Sequence, residues 1–246
     1  MRILALVGAA ALLAACGEAS DVETVEMDDA VIEAAGGEVD TGEELELATQ
    51  AVADAELSDE QNIALAPAGE YVDEDTHAYI AFAYSHQGYS NPILRFNGDA
   101  FEARMNLVPE DPTASTLTVS IDPAEIDSGV DAFNEHLVSA DMFDVATHPE
   151  ISFTTTSLSM DSPTSGTLLG DLTMKGITKP LALDVVLNKV GENFRSGRPM
   201  FGISATGKLK RSEWDLGYAT PFVGDDVDLM IEVEFEKADW EAPAEE

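Results

Sequence analysis

The chain contains 246 residues, a length that allows one large domain or two ordinary ones, and its formal charge is −36. The acidic segment 17–66 within it is not expected to bind nucleic acid or anionic lipid surfaces, because both carry charge of the same sign. The single cysteine excludes an intramolecular disulfide, so the fold must depend on its hydrophobic core.

The N-terminus has the features of an export signal. Arg2 precedes an apolar run over residues 3–13, which is shorter than the roughly 20 residues needed to span a bilayer. The run ends in Leu13-Ala-Ala-Cys16, a motif that resembles the signal of bacterial lipoproteins. The resemblance implies cleavage of residues 1–15 and attachment of lipid to the Cys16 thiol. A plain signal peptide that contains a cysteine is the alternative.

The residue after the cysteine bears on localisation. In enterobacterial lipoproteins, which this signal resembles, an Asp at that position retains the protein at the inner membrane. Gly17 stands there in this chain. We therefore expect a protein of the cell envelope that is lipid-anchored on the periplasmic side, with the outer membrane favoured.

Residues 16–69 are predicted to form a disordered acidic tether. Residues 17–66 contain no Lys or Arg, and Asp and Glu recur among small residues with little hydrophobic periodicity. Repulsion between like charges is expected to keep such a segment extended. A helix over residues 43–57 is the minor alternative, because Leu45, Ala48 and Val52 fall at helical spacing.

The folded domain is predicted over residues 70–238, followed by an acidic tail at 239–246. Its segments alternate apolar and polar side chains, as strands buried on one face do, and turn residues separate them. Strands are predicted over 77–86, 95–107, 116–121, 150–160, both arms of a hairpin within 166–187, 200–209 and 227–237, and one helix over 130–143. The hairpin arms are joined by residues 175–180.

Eight strands with one apolar face each predict an all-β fold, in which closure into an antiparallel barrel removes exposed edges. The single short helix is expected to cover the sheet or one end of it. A two-sheet sandwich is the alternative. The barrel is favoured because large apolar residues recur on the inward faces and no second layer of strands is available to pack against them.

Several stretches of the predicted barrel share a family pattern. They are His77 with Ile80, Phe82 and His86-Gln-Gly88; Leu117-Thr-Val-Ser-Ile-Asp122 with Ile126-Asp-Ser-Gly129; His136-Leu-Val-Ser-Ala-Asp-Met-Phe-Asp144 with His148-Pro-Glu-Ile-Ser-Phe153; Gly170-Asp-Leu-Thr-Met-Lys-Gly-Ile-Thr-Lys-Pro180; and Lys210-Arg-Ser-Glu-Trp214 with Pro221 and Val223-Gly-Asp-Asp226. Over about residues 71–237 the chain resembles the YceI family of lipid- and polyisoprenoid-binding, lipocalin-like envelope proteins. It departs from the family at Ala78, where a Ser is usual, and at 91–96, which lack a Gly-x-Phe pattern.

The resemblance implies an apolar tunnel that holds an amphiphile with a long isoprenoid or fatty chain, such as a polyprenyl lipid or a quinone, and no cofactor. The candidates for the tunnel wall are Ile80, Phe82, Tyr84, Leu117, Val119, Ile121, Phe143, Phe153, Leu172, Met174, Leu183 and Ile231. The alternative is that these side chains fill a solid core. The polar candidates for orienting a head group at the mouth are His77, His86, His136, Asp141 and Arg211, for which capping of local backbone is the alternative.

Neither a metal site nor an enzyme is predicted. His77 and His86 fall on opposite faces of a regular strand, so the histidines show no metal-ligand spacing. Ser204 lies in Gly202-Ile-Ser-Ala-Thr206, which lacks the second glycine of a nucleophile elbow. The predicted function is therefore binding, storage or transport of a long-chain lipid in the envelope. An envelope stress or adhesion module that uses the barrel as a scaffold for protein partners is the alternative, and a homodimer is compatible with both.

Overall fold

The computed structural model describes residues 59–241. The predicted signal at 1–15, the candidate lipid anchor Cys16, the tether as far as residue 58 and the tail from residue 242 lie outside the described residues. Within 59–241, no helix is both long enough and apolar enough to cross a membrane.

Ten strands and one α-helix are found between residues 59 and 241. The strands are β1 (Gly69–Asp73), β2 (Tyr79–His86), β3 (Ile93–Asn97), β4 (Phe101–Leu107), β5 (Thr116–Ile121), β6 (Ile151–Ser162), β7 (Ser165–Met174), β8 (Ile177–Glu192), β9 (Pro199–Lys210) and β10 (Val223–Lys237). The helix α1 (Asp131–Leu137) lies between β5 and β6. Short 3₁₀ turns connect or interrupt several strands.

The strands form one closed antiparallel barrel. Hydrogen bonding runs in order from β4 through β5, β6, β7, β8 and β9 to β10, and β1 closes the ring by pairing with both β4 and β10. β2 follows β1 along the same edge of β10, and β3 pairs with β2. β1 and β2 therefore form one long interrupted strand, and β3 and β4 form another. The barrel has eight strand positions, and the predicted eight-stranded antiparallel barrel with one short helix is confirmed.

The prediction of a single strand over 95–107 is wrong, because this stretch is divided between β3 and β4. A 3₁₀ turn at Gly98–Ala100 separates β3 from β4 and lies against the turn Asp75–His77, which separates β1 from β2. A Cβ atom at residue 98 would overlap the backbone of Asp75, so only glycine allows the two turns to pack together. The predicted strand 77–86 accordingly begins at Tyr79, and β1 precedes it.

The up-and-down order places the connections at two ends. The mouth of the barrel is the end that holds α1 and the connections β2–β3, β7–β8 and β9–β10. The base is the opposite end, which holds the β4–β5, β6–β7 and β8–β9 connections and the residues before β1.

The β7–β8 hairpin has a tighter connection than the six residues predicted. Lys175 and Gly176 both have positive φ, 49° and 72°, as in the two-residue type I′ turn that matches strand twist. β8 therefore begins at Ile177, and its pairing with Met174 continues the register. Within β7, the Phe153 ring of β6 lies over Gly170, where any side chain would collide with it.

The helix is shorter than predicted over 130–143. After Leu137 the chain turns back, because the Ser139 hydroxyl donates to the His136 carbonyl at 2.6 Å and the Phe143 amide donates to the Leu137 carbonyl at 3.0 Å. This turn brings Phe143 into the core beside Phe96, with their ring centroids 6.4 Å apart. The helix and the turn after it thus supply apolar side chains to the mouth.

The base is closed by aromatic packing. The Tyr71 and Phe201 rings lie 4.9 Å apart between centroids, and the Phe201 and Phe235 rings 5.3 Å apart. Tyr71 and Phe235 are at most 1% exposed, and burial raises the pKa of Tyr71 to about 12.

The described part of the predicted tether, 59–69, is folded against the barrel. It contains the 3₁₀ turns Asp59–Gln61 and Ile63–Leu65 and the first residue of β1. Glu60 pairs with Lys189 of β8 at 2.9 Å, and the Tyr71 hydroxyl donates to the Pro67 carbonyl at 2.9 Å. These contacts hold the chain across the base before it enters β1.

Candidate ligand-binding site

The barrel encloses an apolar cavity of about 380 Å³, which we call the main cavity. Its wall is made by the inward face of the barrel and by α1 with the turn that follows it. Of the 36 residues that line it, 31 carry purely apolar side chains. The period-two alternation of each strand explains this composition, since alternate residues face inward.

The main cavity is lined by all twelve side chains that are predicted from the sequence to form the tunnel wall. The prediction omits other wall residues of the same strands, such as Leu168, Leu181 and Leu229. They share the inward parity of Leu172, Leu183 and Ile231, so the alternation signal applied to every residue of these strands would have found them.

The interior of the barrel is not solidly filled. Ile80, Phe82 and Ile231 face inward, yet each is only partly buried, because these side chains border the void. The aromatic residues at the base are almost fully buried by comparison. The wall therefore surrounds a space, which a solid core of the same residues would not provide.

The five polar or ionisable residues of the wall lie at the mouth. Tyr84 and His86 end β2, Arg211 follows β9, His136 is on α1 and Tyr218 is in the β9–β10 connection. The His136 and Tyr218 rings meet edge to face, 5.3 Å apart between centroids. Burial raises the pKa of Tyr84, although the nearby Arg211 charge opposes the shift. One end of an otherwise apolar cavity thus carries hydrogen-bonding groups.

Arg211 fixes the connection between β9 and β10. It is 8% exposed, and its guanidinium donates to the carbonyls of Gly224 at 2.8 Å, of Val223 at 2.9 Å and of Leu216. Burial lowers the pKa of Arg211, and the Asp225 carboxylate opposes that shift. These bonds use three of its five N–H groups. Two N–H groups are left without an acceptor among residues 59–241, beside the mouth of the cavity.

Comparison with known proteins identifies the family. Residues 71–235, from β1 to β10, match the model of the YceI-like domain. The chain belongs to the YceI-like family. It is 31% identical over 161 residues to protein YceI of Escherichia coli O6:H1, an alignment that covers 65% of this chain and 82% of the relative.

Two solved structures share the barrel fold. The Campylobacter jejuni YCEI protein superposes with a TM-score of 0.56 at 27% identity, over 62% of this chain and 89% of that one. A polyisoprenoid binding domain from Saccharophagus degradans, implicated in plant cell wall breakdown, has a TM-score of 0.51 over 69% of this chain and 99% of its own. At 13% identity, the second likeness concerns the fold alone.

Two of the polar residues nominated for the mouth of this YceI-like barrel do not line the main cavity. Asp141 is exposed in the turn after α1. His77 precedes β2, whereas His86 ends it, so a full strand length separates the two histidines. The structure brings together His86, His136 and Arg211, and adds Tyr84 and Tyr218 to them.

His77 belongs instead to a polar cluster on the outer surface. Its Nδ1 atom lies 2.6 Å from Glu74 Oε2 and 3.9 Å from Glu234 Oε2, and these carboxylates raise the pKa of His77. The three residues are of types that ligate metal ions, and their ligand atoms all lie within 4.8 Å of one another. The side chain of His77 is 62% exposed, so the cluster is open to water and separate from the main cavity.

Ser204 also lies outside the main cavity. Its hydroxyl donates to Glu232 Oε2 at 2.6 Å and accepts from Asn188 Nδ2 at 2.9 Å. The register pairs Ser204 with Glu232 of β10 and with Val186 of β8, whose side chains face outward. The hydroxyl therefore takes part in an exposed cross-strand network.

Proposed function

We propose that this protein binds the hydrocarbon chain of an isoprenoid amphiphile, a polyprenyl lipid or a quinone, in the main cavity with the head group at the mouth. The observation that carries this proposal is the distribution of polarity along the cavity. Apolar side chains line the space, and its five polar or ionisable residues are gathered at one end. An amphiphile with one polar end and a long apolar chain has the same distribution.

The energetics support a hydrocarbon ligand. Each methylene removed from water contributes about 0.8 kcal/mol, so roughly ten enclosed methylenes contribute about 8 kcal/mol before the costs of association. The binding free energy is smaller than this gross value, because the costs of association are subtracted from it. The 380 Å³ of the main cavity lies within the range of about 300–1,000 Å³ that is usual for ligand pockets.

The mouth favours a head group that accepts hydrogen bonds. Arg211 has two N–H donors without an acceptor in the described part of the chain, and Tyr84 and Tyr218 add hydroxyl groups. Carbonyl, hydroxyl and phosphate oxygens can each accept from such donors. The Saccharophagus degradans domain, whose fold is similar, is described as polyisoprenoid binding, which agrees with this ligand class.

The proposed place of action is the bacterial envelope. The motif Leu13-Ala-Ala-Cys16 supports export and lipid attachment at Cys16, and Gly17 favours the outer membrane. In this proposal the barrel stores or carries its ligand on the periplasmic side. The localisation is tested by fractionation, in which Cys16→Ser should move the protein from the membrane to the soluble fraction.

The binding proposal is tested with delipidated protein. Titration with solanesol or ubiquinone, followed by native mass spectrometry, should give one bound molecule per barrel. Replacement of inward-facing Phe82 by Asp should abolish uptake, whereas the same change at Lys208, which is exposed on β9, should not. A folded, delipidated barrel that takes up neither compound would overturn the proposal.

A further inference from the structure

A second apolar space lies at the base of the barrel. This base chamber has a volume of about 110 Å³. Its wall includes Leu107 at the end of β4, Pro163 in the β6–β7 turn and Leu187 of β8. None of these three residues lines the main cavity, so the base chamber extends the apolar interior beyond it.

Four residues line both spaces and form a partition between them: Leu117, Leu168, Val185 and Ile203. They come from β5, β7, β8 and β9, and all four are aliphatic. Because each borders the main cavity on one side and the base chamber on the other, the partition is one layer of side chains thick. Leu117 is further held by Thr155, whose hydroxyl donates to its carbonyl at 2.7 Å and accepts from its amide at 2.7 Å.

The residues that precede β1 border the base chamber on its far side. Ile63, in a 3₁₀ turn, contributes to its wall. The turn is held by the pairing of Glu60 with Lys189 at 2.9 Å and by Asn62, whose side chain accepts from the Ala64 amide at 3.1 Å. Removal of the partition would therefore join the base chamber to the main cavity.

We propose that the partition of Leu117, Leu168, Val185 and Ile203 sets the longest hydrocarbon chain that the barrel accepts. This inference rests on the proposed function, because it concerns where the chain of the same ligand ends. With the partition in place, a ligand that enters at the mouth stops at Leu168 and Ile203. With it removed, a longer chain gains the 110 Å³ of the base chamber in addition to the 380 Å³ of the main cavity.

The test compares prenols of increasing length, namely farnesol, geranylgeraniol and solanesol, bound to delipidated full-length protein. In the wild type, affinity should rise with chain length and then level off where the chain reaches the partition. Leu168→Ala should move the levelling point to a longer prenol and raise the affinity for that prenol at least tenfold. Tenfold corresponds to about 1.4 kcal/mol, or roughly two further buried methylenes.

Neighbouring residues provide the controls. Leu169→Ala removes the same atoms from an outward-facing neighbour that is 38% exposed, so it should leave the length profile unchanged. Leu187→Trp fills only the base chamber. Combined with Leu168→Ala, it should cancel the gain in affinity for the longer prenol. Ile203 is a partly buried residue of the partition, and Ile203→Ala opens it as well. This variant is used if Leu168→Ala does not fold.

The outcomes separate this inference from the proposed function. If prenols bind but an opened partition leaves the length profile as in the wild type, the partition does not set the chain length and the inference fails. The same conclusion follows if Leu169→Ala changes the profile as much as Leu168→Ala does. If no prenol binds to any of the proteins, the proposed function itself fails.

Discussion

Replacement of Ile231 by Trp tests whether the interior space is used for binding. Ile231 lies in β10 between Ile80 of β2 and Ala205 of β9, and all three line the main cavity. An indole at this position would occupy volume that the ligand chain otherwise fills. Loss of about three enclosed methylenes costs about 2.4 kcal/mol. We therefore expect roughly 50-fold weaker binding of solanesol, measured by titration of the delipidated protein.

The stability of the same variant separates a cavity from a solid core. A filled interior would be overpacked by the larger ring, at a cost of about 1–3 kcal/mol in urea unfolding. An empty cavity should accept the ring with a cost below about 1 kcal/mol. Met230→Trp is the matched control, because Met230 is the outward-facing neighbour and is 41% exposed. Unchanged solanesol binding by Ile231→Trp, together with a marked loss of stability, would refute this reasoning.

Three further changes test the framework of the barrel. Gly170→Ala should lower the free energy of unfolding by about 1–3 kcal/mol, because the new Cβ overlaps the Phe153 ring and the Thr154 carbonyl oxygen, and adding Phe153→Leu should restore only the part due to the ring. Arg211→Met should lower the free energy of unfolding in urea by about 3 kcal/mol, because it removes the hydrogen-bond donor of three backbone carbonyls. A loss of stability near zero would show that water replaces the guanidinium. The pKa of His77, followed by NMR, should lie above the reference of about 6.5, since Glu74 and Glu234 favour the charged imidazole, and Glu74→Gln should lower it. Because the pKa of His77 is raised on folding, its protonation stabilises the folded state fully below the unfolded pKa, and this stabilisation is lost as pH rises through the folded pKa. An unchanged pKa of His77 in Glu74→Gln would contradict this assignment.

The wall of the cavity could be predicted because alternation is a local property. In β10 the residues Leu229, Ile231, Val233 and Phe235 share one face, and that face is the inner surface of the barrel. Closure then follows from the number of such strands, since eight can form a ring without exposed edges. The sequence could not show whether the ring is filled, because a packed core and a cavity wall have the same apolar pattern.

The interruptions of the strands depend on contacts distant in sequence. Asn97-Gly98 is a dipeptide typical of turns, but the contact that requires the break, the close approach of the Asp75 backbone, is distant in sequence. The polar mouth could be predicted only in part for a similar reason. His77 and His86 have the same chemistry, but they flank opposite ends of β2, and only the barrel shows which end meets α1 and Arg211.

The most direct test of the central claim is mass spectrometry of the lipid extracted from protein purified from a bacterial envelope. We expect a linear isoprenoid amphiphile in near-stoichiometric amount from the wild type and from Met230→Trp, and a much smaller amount from Ile231→Trp. A wild-type extract without lipid, from a barrel that also takes up no polyprenyl lipid or quinone after delipidation, would contradict the claim.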